Sequence, residues 1–230
     1  MKLPISARLL LCTELIDAPC RPVDVGTDHG YLGIHLLESN KASHVIAADL
    51  RPMPLENARQ HAAQFGKSEQ MTFVLSDGLK NIDPEAVDTV ICAGMGGDLI
   101  AKILQESPWV FDARYRLILQ PQSTPHTLRA WLCEAGFYIE EERICEDGDF
   151  IYTVMRVRYG RKMTLTPGEQ YLTPQLLSTG DALLTEHVKR LQMALERTVS
   201  GLSMAKKQRP EELVYYKQAL DEITLMKERL

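Results

Sequence analysis

The sequence of 230 residues contains no apolar run near the ~20 residues a membrane-crossing helix needs, so a helical membrane protein is excluded. Its five cysteines, Cys12, Cys20, Cys92, Cys133 and Cys145, are odd in number and include no C-x-x-C pair. Neither a disulfide framework nor a zinc site is expected; buried, reduced thiols are. The six histidines show no H-E-x-x-H spacing, so no metal site is expected. There is no G-x-x-x-x-G-K-[ST] phosphate loop, no G-x-G-x-x-G fingerprint, no internal repeat and no low-complexity segment. At the amino end only the short run Leu9 to Leu11 is apolar, and Glu14 and Asp17 interrupt it. A secretory leader is therefore not expected, and a cytoplasmic location is.

What is present is an ordinary globular composition with a net charge of −5. The charge is unevenly placed. Residues 1–150 hold 13 Lys+Arg and 22 Asp+Glu, whereas residues 151–230 hold 13 and 9. The whole-chain figure argues against nonspecific nucleic-acid binding, but the basic second part points to a local contact with an anionic partner. Arg156, Arg158, Arg161 and Lys162 begin that excess.

Periodicity supplies the frame. Ile5, Leu9, Leu10, Cys12, Leu15 and Ile16 predict an opening amphipathic helix. Short buried strands are then predicted at Val23–Val25, Val45–Ala48, Met71–Leu75, Val87–Cys92 and Arg116–Leu119. Helices are predicted between them at Tyr31–Glu38, Leu55–Phe65 and Leu99–Leu104, and after them at Thr127–Ala135. Phe137–Ile144 and Phe150–Val157 flank an Asp147-Gly148 turn, the signature of an antiparallel hairpin. The sum is an α/β fold with a mostly parallel sheet covered on both faces. After a linker at Tyr159–Leu172, Leu184, Val188, Leu191, Leu195, Thr198 and Leu202 step at helical spacing. Leu213, Tyr216, Leu220, Ile223 and Met226 repeat that step beyond the polar break Lys206–Pro210, so a coiled-coil hairpin is expected. Two units follow, residues 1–160 and 161–230.

In such sheets ligands bind beyond the carboxyl ends of the strands. Asp24, Gly26, Thr27, Asp28 and Gly30 follow the first predicted strand, and Asp49 and Leu50 the second. Asp77 and Gly78 follow the third, and Ala93, Gly94 and Met95 the fourth. The glycines let backbone approach a ligand. Asp49, about 20 residues beyond Gly26, is placed for ribose hydroxyls. Asp77 offers an acceptor to an adenine amino group. Asp28 stands where the dinucleotide fingerprint has a second glycine, and its charge would repel a diphosphate. A sulfonium and an ammonium would instead be welcome there, so S-adenosylmethionine is the expected cofactor.

Together Val23-Asp24-Val25-Gly26-Thr27-Asp28-His29-Gly30-Tyr31-Leu32, Ala48-Asp49, Ser76-Asp77-Gly78-Leu79, Ala93-Gly94-Met95-Gly96-Gly97 and Leu119-Gln120-Pro121-Gln122 resemble the bacterial tRNA (adenine-22 N1)-methyltransferases. Relatives often carry alanine and proline near Gly30 and Gly33, a small departure. The resemblance implies a class I methyltransferase, Rossmann-like sheet of seven strands and methyl transfer from S-adenosylmethionine to N1 of an adenine in tRNA. It also implies that the C-terminal helical hairpin grips the tRNA. The turn after the fourth strand lacks the Asn/Asp-Pro-Pro-aromatic signature of many exocyclic-amine methyltransferases. Asp28, His29, Tyr31 and Met95 are the candidates for the catalytic wall facing the base, and Arg156, Arg158, Arg161 and Lys162 for RNA contact.

Each of these residues has a plainer use. Asp49 could cap a helix, Asp77 could hold a turn, and Met95 and Tyr31 could pack in the core. The arginines could be an ordinary solvated cluster. The alternatives in function are a methyltransferase of another RNA or of a small molecule, and a noncatalytic RNA-binding module on the same fold. The oligomeric state is open, with a monomer favoured over dimerisation through the helical hairpin.

Overall fold

The computed structural model describes residues 3–205 and 207–229. Lys206, part of the polar break between the last two helices, lies outside them, as do Met1 and Lys2. The chain opens with α1 (Ala7–Glu14), then β1 (Pro22–Val25), α2 (Tyr31–Glu38), β2 (Val45–Asp49), α3 (Pro52–Gln64) and β3 (Met71–Leu75). It continues through β4 (Thr89–Gly96), α4 (Gly97–Gln105), β5 (Arg116–Ser123), α5 (Pro125–Glu134), β6 (Phe137–Asp147) and β7 (Phe150–Tyr159). Three helices close it: α6 (Pro174–Leu177), α7 (Leu184–Met204) and α8 (Pro210–Lys227).

The seven strands form one sheet in the order β3-β2-β1-β4-β5-β7-β6. The first five are parallel, and β7 enters antiparallel between β5 and β6. Strand residues alternate between two cores. Val90, Cys92, Leu117 and Leu119 face the cluster that includes Ile100 of α4 and Leu128 of α5. Ile91 and Ile118 face the opposite cluster, with Leu11 of α1 and Leu36 of α2. Both faces are thus covered, as short apolar strands without polar alternation require.

Two strands run further than their apolar cores suggest. The predicted glycine turn Ala93–Gly97 is mostly strand, because β4 extends to Gly96 beside an equally extended β5. Gln120–Ser123, beyond the predicted strand Arg116–Leu119, become the end of β5 for the same reason. A bulge absorbs the mismatch at Gly94, whose φ of +77° is open to glycine at little cost. Its N–H donates to Oε1 of Gln120, a fully buried side chain, at 3.0 Å. The ladder that the glycines interrupt is restored by this side chain.

The last two helices pack antiparallel, with Val188, Leu195, Ala219 and Ile223 buried and Lys227 donating to Gln192 at 2.8 Å. Ile144 of β6 and Leu172 belong to the same cluster, so the pair is seated against the sheet. The predicted linker is itself pinned, since Glu222 of α8 accepts from the Gly168 N–H at 2.7 Å.

A buried polar knot sits at this seam. Arg129 of α5 and Glu142 of β6 pair at 2.5 Å with essentially no solvent exposure. Glu142 also accepts from Thr153 of β7 and from Thr173 just before α6. Arg129 donates to the carbonyls of Gln170 and Tyr171. Every charge is therefore matched, as burial demands.

Candidate active site

Strand order reverses between β1 and β4, and the crevice lies beyond the carboxyl ends there, at the topological switch point. Its cavity of about 330 Å3 is lined by Gly26, Asp28, Asp49, Leu50, Asp77, Gly78, Ala93, Gly94 and Met95. Loops from four strands, nominated one by one in the sequence, meet in one place.

Gly26 has φ +72°, and a Cβ there would stand 2.5 Å from Cε of Met95. Any side chain would push Met95 and narrow the crevice. Asp28 also adopts the left-handed region, with φ +52°, a conformation aspartate tolerates better than most residues. It takes the backbone shape of the missing second glycine while keeping its carboxylate at the rim. Asp49 is buried, and its Oδ1 accepts from the Arg51 N–H at 2.9 Å at the start of α3. Asp49 thus holds the turn that leads into α3 without capping the helix, and lines the crevice as well. Asp77 is exposed and forms an ion pair with Lys80, which holds its carboxyl below the usual carboxylate range.

Three nominated residues stand behind the lining. Asp24 is buried and accepts from the Thr27 hydroxyl at 2.7 Å, so the two stiffen the loop from below. Gly30 has φ +73° at the start of α2 and closes on Ala58 of α3. Burial pushes the Asp24 carboxyl up to about 6; the Thr27 hydrogen bond opposes this and the Asp49 charge adds to it. The folded state therefore keeps a proton that the unfolded chain releases near pH 4. This group's contribution to stability is greatest below that pH, falls as pH rises to about 6, and is then constant. Asp24→Asn is expected to be more stable than the parent at pH 8 by up to about 3 kcal/mol, with the gap closing near pH 4. Urea unfolding at pH 8 and pH 4.5 measures this. A gap that does not change with pH would count against a buried charge at Asp24.

Of the proposed base-facing wall, Met95 and Asp28 line the crevice and His29 and Tyr31 flank it. His29 Nε2 lies 3.5 Å from Asp28, and its ring stacks on Tyr31 with centroids 5.5 Å apart. His61 of α3 completes the cluster and was not legible in the sequence, where it stands alone in a polar helix. Its ring stacks on Tyr31 at 4.7 Å. Its Nδ1 donates to the His29 carbonyl at 2.9 Å, which leaves Nε2 to accept from the Tyr31 hydroxyl at 3.2 Å. Also missed were Arg51 and Ser76, which neighbour nominated loop residues, and Leu99 and Ile103, one helical turn apart on α4.

Arg156, Arg158, Arg161 and Lys162 are not brought to the crevice. The antiparallel course of β7 carries its later residues toward the start of β5, the opposite end of the sheet. Arg156 pairs with Asp17, Glu140 and Glu141 at 3.0–3.6 Å, and Arg158 with Glu140 at 3.1 Å. Arg161 stands over the Tyr138 ring at 5.7 Å. Carboxylates on the neighbouring strand and after α1 thus pair with the two arginines on β7, at the end of the sheet away from the crevice. Among the described residues no group of three or more His, Cys, Asp or Glu comes together as a metal site.

Residues 5–155 match the family described as a methyltransferase domain. Over 159 residues the chain is 31% identical to the tRNA (adenine(22)-N(1))-methyltransferase of Bacillus subtilis, covering 69% of this chain and 67% of that protein. The chain belongs to this methyltransferase family. The likeness extends beyond the aligned sequence. The crystal structure of the B. subtilis m1A22 tRNA methyltransferase TrmK superposes with a TM-score of 0.83 at 26% identity, over 99% of both chains. The Streptococcus pneumoniae protein Sp1610, solved in complex with S-adenosyl-L-methionine, does so at 0.83 and 29%, over 97% of this chain and 99% of that one. The C-terminal helices of this methyltransferase are thus part of the shared architecture.

Proposed function

We propose that this methyltransferase transfers a methyl group from S-adenosylmethionine to N1 of adenine 22 in tRNA. The observation that carries this is the convergence of Gly26, Asp49, Asp77, Gly94 and Met95 on one crevice, in a chain related to the B. subtilis enzyme of that activity. The cradle fits the cofactor. Asp49 reaches the crevice from a buried position for a ribose diol, Asp77 stands for the adenine amino group, and Gly26 and Gly94 let backbone come close. Asp28 supplies negative charge for the cationic end. The cofactor brings an electrophilic methyl on a sulfonium.

The chain's own contribution is placement. Adenine N1 presents an in-plane lone pair, so no side chain need remove a proton before attack. The Ala93–Gly96 segment accordingly offers no side-chain acceptor for an exocyclic amine. Catalysis rests on holding N1 in line with the methyl carbon, with carboxylate and backbone carbonyls facing the cationic product. We assign the base-facing wall to Asp28, His29, Tyr31 and Met95, with Asp24, Thr27 and Gly30 shaping the loop beneath the cofactor. Residues 1–160 hold the cofactor and 161–230 contact the tRNA. The crevice is complete within one chain, which supports activity as a monomer, and a tRNA substrate supports a cytoplasmic location. No described helix is long and apolar enough to cross a membrane.

Purified protein with S-adenosylmethionine is expected to release S-adenosylhomocysteine when tRNA is added and not with small amines. Comparable turnover on small amines would favour a small-molecule methyltransferase instead.

A further inference from the structure

The crevice has a neighbour. Nε2 of Gln122 lies 3.7 Å from the position a Cβ on Gly94 would take, and Gln122 lines a second cavity of about 250 Å3. Its walls come from three separate parts of the fold. Tyr152 comes from β7, Tyr171 from the segment before α6, and His187 and Arg190 from α7. The early part of β7 runs beside the end of β5, so this cavity opens on the same rim as the crevice.

The lining chemistry is specific. Tyr171 is held in one orientation by stacking on His126, with centroids 4.4 Å apart and planes 11° from parallel. The Tyr152 ring lies 6.0 Å from that of Phe150, exposed at the hairpin tip, and the Arg8 guanidinium of α1 stands 5.6 Å from its centroid. Arg190 is fixed by Glu186 and by the Asp149 carbonyl, each at 2.8 Å. Burial and the nearby Arg129 charge push the His187 imidazole down to about 4, so at neutral pH it offers one donor and one acceptor. Aromatic planes, a guanidinium and mixed donors and acceptors are what an unstacked base needs.

We propose that this cavity is a nucleobase subsite of the RNA substrate, holding an unstacked base next in the chain to the one being methylated. The inference rests on the tRNA methyltransferase reading above and gives the C-terminal helices a further task. They supply one wall of the subsite through His187 and Arg190, in addition to any contact with phosphates.

Tyr152→Leu and the exposed-site variant Arg190→Gln test it. Each is expected to raise KM and Kd for tRNA about tenfold, a usual loss for one stacked base, with kcat within twofold and S-adenosylmethionine affinity unchanged. A transcript with an abasic site at one nucleotide flanking the target should cost the parent the same factor. It should cost the Tyr152→Leu variant little more. Parent-like tRNA affinity in both variants would overturn the proposal, and so would variant and abasic losses that multiply. The Kd readout does not depend on turnover. A parent that binds tRNA but never methylates it would therefore overturn the proposed activity and leave the subsite test intact.

Discussion

Asp49→Ala is expected to weaken S-adenosylmethionine binding by about 10- to 150-fold, the equivalent of roughly 1.5–3 kcal/mol for hydrogen bonds to a charged acceptor. Asp49 is buried at the end of β2 and lines the crevice, and the proposed cofactor role has its carboxylate accept from the ribose hydroxyls. The same carboxylate accepts from the Arg51 N–H in the turn ahead of α3, so the substitution also removes that hydrogen bond, at a cost of roughly 1.5–3 kcal/mol for a charged acceptor. The fold should survive that. Calorimetric titration of the folded variant separates the two effects. Parent-like cofactor affinity would show that Asp49 serves α3 alone.

Arg129→Met is expected to destabilise the protein by about 3–5 kcal/mol, because Glu142 would be left charged and unpaired in the interior. That is a large part of a typical domain stability of about 5–15 kcal/mol. Four hydroxyl or amide-carbonyl partnerships converge on this pair from β7 and from the segment that leads to α6. Loss should therefore loosen the C-terminal helices along with the sheet. The double variant Arg129→Met, Glu142→Leu should recover much of the deficit, since an apolar pair leaves no charge to satisfy. Urea unfolding of the three proteins measures this. A single variant within 1 kcal/mol of the parent would mean that water replaces the pair without penalty.

The crevice was more legible in the sequence than the seam. Asp49, Asp77, Gly26 and Gly94 each follow a short apolar run, and strand ends of a parallel sheet converge by topology alone. The extension of β4 was not legible, because Gly-Met-Gly-Gly reads as a turn until Gln120 is seen to supply the missing partner. Nothing in the sequence distinguishes Arg129 and Glu142 from other charges; only packing shows them buried together. The ion pairs of Arg156 and Arg158 were hidden for the converse reason. A local count of positive charge cannot see Glu140 and Glu141 on the adjacent strand, or Asp17 beyond α1. His61 reaches the Tyr31 ring only because α3 packs beside α2.

The location of the methyl group tests the central claim most directly. Unmodified tRNA carrying adenine at position 22 is incubated with the protein and S-adenosylmethionine, digested to nucleosides and to fragments, and read by mass spectrometry. The account predicts one N1-methyladenosine per tRNA, in the fragment containing position 22, and none when that adenine is replaced by guanine. A methyl group on another nucleoside, or one that persists after the replacement, would contradict it.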